Sequence, residues 1–325
     1  MQASFRARGV AGVLAVVLAA AGIATLNLRD HASGHSRQAT DTTTVRPGPP
    51  AEDRVRGGTV PVGTLPEGTT TVPLRFGGAE RSYLLERPTS TTGSAALVVL
   101  LHGTGVDARE ELDRTGFGVL AQQRGFEVAV PQSIGRTWNS GAGCCSYEAE
   151  QRIDDIAFVR AVVSDVRDRT SIDPARIYLV GYSNGGKLAY GVACTGQRVF
   201  AGLATYGAGP QLPCTAAAPL ALFVGFGTND PLEPPKGMAP DSRGRHPGLA
   251  STVAEFVRRD RCAPTVERSA VGTAVVVAHT RCTAGTAIEA ATWHGEDHTF
   301  PAPPRTTPDA AGATLMWQFL SRRDT

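Results

Sequence analysis

The 325-residue chain carries little net charge and almost no lysine. Charged residues make up 19% of the sequence, and 32 Lys and Arg against 30 Asp and Glu leave a formal net charge of +2. Lysine occurs only at Lys187 and Lys236, so arginine supplies nearly all of the positive charge. No charge run of the kind that binds polyanions is present. A nucleic-acid-binding function is therefore not expected.

The cysteines lack the close C-x-x-C pairs that are typical of zinc sites. The six cysteines stand at positions 144, 145, 194, 214, 262 and 282. Their spacing indicates no metal site, and no motif in the chain indicates a cofactor. We therefore expect neither a metal nor a cofactor.

A hydrophobic stretch near the N-terminus has the pattern of an export signal. Arg6 and Arg8 precede an uncharged run over residues 9–26, and polar sequence follows it. The run is longer than most signal cores and just long enough to cross a bilayer. Residues 1–26 are predicted to be a signal peptide or an N-terminal membrane anchor. Positively charged residues beside a hydrophobic segment favour the cytoplasmic side of the membrane, and Arg6 and Arg8 precede this one. The rest of the chain is therefore expected to be secreted or tethered to the outer face of the cytoplasmic membrane.

The expected location outside the cytoplasm predicts that the cysteines form disulfides. An even number of cysteines outside the cytoplasm indicates disulfides. The pairs Cys194–Cys214 and Cys262–Cys282 would each close a local loop, and we predict both. Free buried thiols are the alternative. The sequence leaves the pairing of Cys144 and Cys145 open.

The remainder of the chain divides into a linker and one folded domain. Residues 27–70 are rich in Thr, Pro, Gly and Arg without a hydrophobic period, which predicts a disordered linker. Residues 71–325 suit a single α/β domain. Apolar strands alternate there with helices, which predicts a mostly parallel central sheet with helices on both faces. The predicted strands are 72–76 and 81–86 as a hairpin, 96–101, 126–130, 176–180, 203–206, 220–226, 274–278 and 287–293; the predicted helices are 109–124, 154–169, 187–193, 250–259 and 314–322.

A G-x-S-x-G pentapeptide surrounds Ser183, with Gly181 before it and Gly185 after it. It follows an apolar strand and precedes a helix, which is the context of a nucleophile elbow. Glycines permit the strained turn that exposes the serine hydroxyl above the sheet edge. Ser183 is therefore the predicted nucleophile.

A nucleophilic serine needs a base, and the base needs a carboxylate that fixes its tautomer. His298 is the predicted base because it lies in a loop between the last strand and the last helix. His294 is the main alternative, and His246 and His279 are weaker ones. Asp230 is the predicted acid because it lies in the exit loop of strand 220–226. Asp241, or a turn role for Asp230, is the alternative.

Two backbone amides are predicted to form the oxyanion hole. One is that of Asn184, directly after the nucleophile, and the other is that of Thr104, after strand 96–101. His102 precedes the serine on another strand and is predicted to be structural. Trp138 could stack on an aromatic acyl group or a sugar, or it could be a packing anchor.

A series of short motifs occurs in a single order along the chain. They are His102-Gly103, Trp138-Asn139, Cys144-Cys145, Ile153-Asp154-Asp155, Gly181-Tyr182-Ser183-Asn184-Gly185-Gly186, Gly227-Thr228-Asn229-Asp230-Pro231 and His298-Thr299-Phe300-Pro301. Together they resemble the secreted polyhydroxybutyrate depolymerase and feruloyl esterase family of α/β hydrolases. Phe300 stands where that family usually has tryptophan, and Asp297 where it has glycine.

The resemblance implies an α/β-hydrolase fold and a serine carboxylesterase with the triad Ser183, Asp230 and His298. The substrate would be a small or polymeric ester, such as a polyhydroxybutyrate, feruloyl or acetyl-sugar ester. We expect a monomer whose N-terminal segment can contact a membrane. The alternatives are a peptidase or acyltransferase that uses the same triad, and a catalytically silent surface-binding protein.

Overall fold

The computed structural model describes residues 68–89, 93–141, 144, 153–195, 198–214 and 218–322. The predicted signal or anchor at residues 1–26 lies outside these residues, as does the linker up to residue 67. The first strand begins at Gly68, so the last three positions of the predicted linker belong to the folded domain. In the described ranges, no helix has both the length and the apolar character needed to cross a bilayer.

A ten-stranded mixed sheet forms the centre of the described domain, with the order β1-β2-β4-β3-β5-β6-β7-β12-β11-β10. The six strands from β4 to β12 are parallel, and the strands at both edges are antiparallel. A separate hairpin is formed by β8 and β9. The strands are β1 Gly68–Phe76, β2 Ala79–Arg87, β3 Ala95–Leu101, β4 Glu127–Pro131, β5 Ile172–Tyr182, β6 Gly202–Tyr206, β7 Ala221–Gly227, β8 Met238–Asp241, β9 Gly244–His246, β10 Val266–Val271, β11 Ala274–His279 and β12 Ile288–Trp293.

Helices cover both faces of the sheet. They are α1 Ala108–Thr115, α2 Phe117–Arg124, α3 Asp155–Arg169, α4 Asn184–Cys194, α5 Leu249–Arg259 and α6 Gly312–Ser321. On β3, Leu97 and Val99 face a core shared with α3, α4 and α5, whereas Val98 and Leu100 face a core shared with α1, α2 and α6. Such burial on both faces explains why this strand is apolar without alternation. The predicted fold class is confirmed.

The predicted helix over residues 109–124 is wrong as a single element. Gly116 adopts a left-handed conformation with φ of 76°, which ends α1 and precedes α2. β10 and the β8–β9 hairpin are further elements that the sequence pattern does not predict. The residues of β10 and β8 are almost all exposed, so they carry no apolar pattern that would reveal a strand.

Both predicted disulfides are confirmed. Cys194, at the end of α4, is joined to Cys214, and Cys262, just after α5, is joined to Cys282. Cys144 is disulfide-bonded as well. Cys145 lies outside the described residues, so the pairing that the sequence left open stays open.

Candidate active site

Ser183 occupies a sharp turn between β5 and α4. Its backbone has φ of 54° and ψ of −123°, a conformation that L-residues rarely adopt. The turn is fixed by hydrogen bonds from the Ser183 amide to the Tyr206 carbonyl (2.9 Å) and from the Lys187 amide to the Ser183 carbonyl (3.0 Å). Strain held in this way is typical of functional positions.

The glycines of the pentapeptide are required by close packing around the turn. A Cβ atom on Gly185 would lie 2.3 Å from the Leu101 carbonyl oxygen at the end of β3. A Cβ on Gly181 would lie 2.5 Å from the Gly185 carbonyl oxygen. Neither position can accept a side chain without moving backbone. The turn is therefore held directly against the neighbouring strand.

Ser183, His298 and Asp230 form a continuous chain of hydrogen bonds. Nε2 of His298 lies 2.8 Å from Oγ of Ser183, and Nδ1 lies 2.7 Å from Oδ2 of Asp230. His298 follows β12, and Asp230 follows β7, the strand beside it. The carboxyl ends of parallel strands meet at one edge of the sheet, which brings residues distant in sequence together.

The Asp230 carboxylate is buried and held by backbone amides. Its side chain has no exposed surface, and Oδ1 accepts hydrogen bonds from the amides of Leu232 (2.9 Å) and Glu233 (2.8 Å). The other oxygen, Oδ2, is left to face His298. The two amides fix the orientation of the carboxylate, so that Oδ2 stays directed at the imidazole.

Two tyrosines hold the loop that carries His298. The Tyr182 hydroxyl donates to the His298 carbonyl, and the Tyr206 hydroxyl donates to the Asp297 carbonyl at 3.0 Å. Burial raises the pKa of Tyr182 to about 12, which keeps this hydroxyl protonated as a donor. Phe300 is buried edge-on against both rings. Sequence reasoning missed both tyrosines, because an aromatic residue in a buried strand usually indicates core packing alone.

Thr104 and Asn184, the two residues of the predicted oxyanion hole, converge on Thr137. The Thr137 hydroxyl lies 3.3 Å from Oγ1 of Thr104 and donates to Oδ1 of Asn184 at 3.1 Å. The same Asn184 oxygen accepts from the Trp138 amide at 2.7 Å. The side chain of Asn184 thus ties the start of α4 to the loop beyond β4, next to the exposed Thr104.

Trp138 does not occupy the position expected of a substrate-stacking residue. Its side chain is fully buried, its indole N–H donates to the His102 carbonyl at 2.8 Å, and its ring contacts the His102 ring. No face of the indole is available to a substrate in this arrangement. The packing alternative therefore fits the structure, and the substrate-binding expectation does not.

The other candidate histidines and carboxylates lie elsewhere. Burial lowers the pKa of His102 to about 4, which keeps it neutral, and its Nε2 accepts from the Ser133 amide. His246 and Asp241 bond to each other rather than to Ser183. Of the two neighbouring histidines, His298 and not His294 faces the serine. Within the described ranges, no three His, Cys, Asp or Glu side chains are grouped so that they could hold a metal ion.

The sheet order, the strained serine turn and the Ser–His–Asp hydrogen-bond chain together define an α/β hydrolase. A comparison with protein families agrees, since the model of the dienelactone hydrolase family matches residues 85–238. This match contains Ser183 and Asp230, and His298 lies beyond it. The chain is thus similar to this family over these residues, and it has the α/β-hydrolase fold that its sequence motifs predict.

Several known proteins are similar to this chain. NocK of Nocardia uniformis subsp. tsuyamanensis, which is named as an esterase, is 27% identical over 72% of this chain and 74% of its own length. Feruloyl esterase D of Neurospora crassa is 26% identical over 80% of this chain and 87% of its own length. Poly(3-hydroxyalkanoate) depolymerase C of Paucimonas lemoignei is 28% identical over 40% of this chain, but the match spans only 31% of that protein.

Solved structures support the fold. The crystal structure of native sOPH superposes with a TM-score of 0.52 over 74% of this chain and 84% of its own, at 15% identity. At that identity the likeness shows the fold alone. The family match and the esterase relatives make this protein an enzyme of the carboxylic ester hydrolase class.

Proposed function

We propose that the protein is an extracytoplasmic serine carboxylesterase with Ser183 as nucleophile, His298 as base and Asp230 as the acid that orients the base. The observation that carries this proposal is the unbroken hydrogen-bond chain from Ser183 Oγ through His298 to the buried Asp230 carboxylate. Nε2 of His298 faces the serine hydroxyl and Nδ1 faces the carboxylate, which are the two contacts that a base oriented by an acid requires.

In this mechanism Nε2 of His298 takes the proton of Ser183 Oγ as the oxygen attacks the ester carbonyl. The proton then passes to the departing alcohol, and an acyl-serine remains. His298 next takes a proton from water as the water oxygen attacks the acyl group, and it then gives this proton to Oγ of Ser183 as the acid product leaves. Asp230 Oδ2 accepts from Nδ1–H throughout, so it holds the productive tautomer and stabilises the imidazolium.

The negative oxygen of the tetrahedral intermediate would be held by the amides of Thr104 and Asn184. Support comes from the contacts that the side chains of both residues make with Thr137. The N-terminal end of α4 adds a favourable dipole at the same place. We do not include Trp138 in the substrate site, because its ring is buried.

For the substrate we propose small, neutral esters of the feruloyl, acetyl-sugar or 3-hydroxybutyrate type. Support comes from the relatives that are named feruloyl esterase and poly(3-hydroxyalkanoate) depolymerase. The charge balance of the chain, at +2 overall, offers no preference for a polyanion. For the location we propose the outside of the cytoplasmic membrane, supported by the disulfides and by the hydrophobic N-terminal pattern.

Hydrolysis assays test the proposal. The native enzyme should turn over p-nitrophenyl acetate, and Ser183→Ala should lower kcat by about 10⁴- to 10⁶-fold without changing the circular dichroism spectrum. A panel of feruloyl, acetyl-sugar and 3-hydroxybutyrate esters then ranks the acyl groups by kcat/KM. Comparable kcat values for native protein and Ser183→Ala would refute the nucleophile assignment.

A further inference from the structure

Lys187, in the first turn of α4, is placed where a cation is costly. Its side chain is only 3% exposed, and burial lowers the pKa of its ammonium group, with the charge of Glu233 acting in the opposite direction. A positive charge near a helix N-terminus also opposes the helix dipole. A charged lysine at this position therefore requires specific interactions that compensate for its burial.

Lys187 forms a buried ion pair with Glu233, which supplies this compensation. Nζ of Lys187 lies 2.8 Å from Oε1 of Glu233 and donates to the Arg243 carbonyl at 2.7 Å. The Glu233 side chain is 5% exposed, and its Oε1 is also 2.8 Å from Nδ1 of His246. Nε2 of His246 in turn faces Asp241 at 2.8 Å. The carboxylate of Glu233 thus has partners on both α4 and the β8–β9 hairpin.

Both members of the pair are attached to the candidate triad by backbone. The Lys187 amide donates to the carbonyl of Ser183, and the Glu233 amide donates to Oδ1 of Asp230. The side-chain pair consequently joins the helix that begins beside the nucleophile to the loop that holds the acid. A compact ammonium group suits this short connection better than the broad guanidinium that the chain uses nearly everywhere else.

We infer that Lys187 and Glu233 are positioning residues that hold the Asp230 carboxylate in register with Ser183 and His298. The inference rests on the proposed triad. Loss of the connection lets the acid loop move relative to α4, so that Oδ2 of Asp230 no longer meets Nδ1 of His298 at 2.7 Å. Misplacement of catalytic groups on this scale lowers the rate of reaction rather than the binding of substrate.

The variant Lys187→Met/Glu233→Leu separates positioning from stability. Apolar residues of similar volume can replace a buried ion pair without loss of stability, whereas removal of one partner leaves an uncompensated charge. Because Glu233→Leu also removes the carboxylate that faces Nδ1 of the buried His246, we expect a lower melting temperature than that of the native enzyme, and kcat is measured at a temperature at which both proteins are folded. Its kcat for p-nitrophenyl acetate should fall by about 10-fold or more, with KM changed by less than about 2-fold.

The same substitutions in an Asp230→Asn background give the deciding comparison. If the pair acts through Asp230, it should have almost no further effect on kcat there, since effects on one functional unit are not additive. As a control, Arg87→Met/Glu127→Leu removes an ion pair at the start of β4, whereas the triad lies beyond the carboxyl ends of the parallel strands. This control should leave kcat unchanged. If the double variant does not fold, Glu233→Gln replaces it, with an expected loss of about 3-fold that disappears in the Asp230→Asn background.

Each outcome has a distinct meaning. A native kcat in the double variant, or an equal loss of kcat in both backgrounds, overturns the positioning role. If Asp230→Asn alone keeps native kcat, the proposed triad fails and the inference fails with it. Loss of kcat confined to the background with Asp230 supports the positioning role.

Discussion

Gly207, directly after β6, lies beside the imidazole of His298 and leaves little room for a side chain there. A Cβ atom on Gly207 would lie 3.0 Å from Cε1 and 3.2 Å from Nδ1 of the imidazole, and 3.5 Å from Oδ2 of Asp230. Gly207 also has φ of +60°, so both its backbone and its surroundings favour glycine. The absence of a side chain at this position leaves the room in which the histidine and the carboxylate meet.

The first prediction concerns this position. Gly207→Ala should displace His298 and lower kcat by about 10- to 100-fold, because the added methyl group occupies the space beside Nδ1. Gly125→Ala is the matched control, since Gly125 has φ of +74° with no atom within 4 Å of an added Cβ. Both variants should lose about 1 kcal/mol of stability from backbone strain, measured by chemical denaturation. Equal kcat values for the two variants would contradict the prediction.

The second prediction distinguishes two neighbouring histidines. His298→Ala should lower kcat by about 10⁴-fold or more, as expected for a base in contact with the nucleophile. His294→Ala should retain most of the activity, because the structure gives Ser183 a hydrogen bond to His298 and not to His294. Steady-state assays on p-nitrophenyl acetate measure both. An inactive His294→Ala variant together with an active His298→Ala variant would assign the base to His294 instead.

Much of the candidate site could be proposed from the sequence because its residues follow strand ends. Ser183, Asp230 and His298 each stand just after an apolar segment, and parallel strands bring those ends to one edge. The pairing of Lys187 with Glu233 could not be predicted in this way. It depends on the path of the loop after β7 and on the β8–β9 hairpin, whose exposed residues have no periodic pattern. Trp138 shows a different limit, since an isolated aromatic residue in a loop fits a binding role and a packing role equally well.

The third prediction concerns Glu111 in α1. Glu111 accepts from Arg114 and from the Gly103 amide, yet burial raises its pKa from 4.5 to about 7. The folded state therefore binds this proton more tightly than the unfolded state. The resulting stability is fully present below about pH 4.5 and is lost as pH rises through about 7, on the order of 3 kcal/mol in total.

Urea denaturation at pH 5 and pH 7.5 measures this effect. The free energy of unfolding of the native protein should exceed that of Glu111→Gln by more at pH 5 than at pH 7.5, because the amide does not titrate. Asp113→Asn, on the exposed side of the same helix, is the control and should leave the pH dependence as in the native protein. A difference between native protein and Glu111→Gln that is the same at both pH values would contradict the assignment.

The fourth prediction concerns the two local disulfides. Cys194–Cys214 and Cys262–Cys282 each join residues 20 positions apart, so the loss of either should cost about 3 kcal/mol. Replacement of each pair by serine, followed by denaturation of the purified protein, gives the two values. Expression in a reducing cytosol should give protein that is destabilised by the sum. Free thiols at these positions in exported protein would contradict the pairing.

The most direct test of the central claim is chemical labelling of the nucleophile. Native protein is treated with a serine-directed phosphonate, and the modified peptide is identified by mass spectrometry. We expect one label per chain, on Ser183, because its hydroxyl is hydrogen-bonded to His298, the proposed base. The label should be absent from Ser183→Ala and greatly slowed in His298→Ala. Stoichiometric labelling that persists in Ser183→Ala would contradict the account.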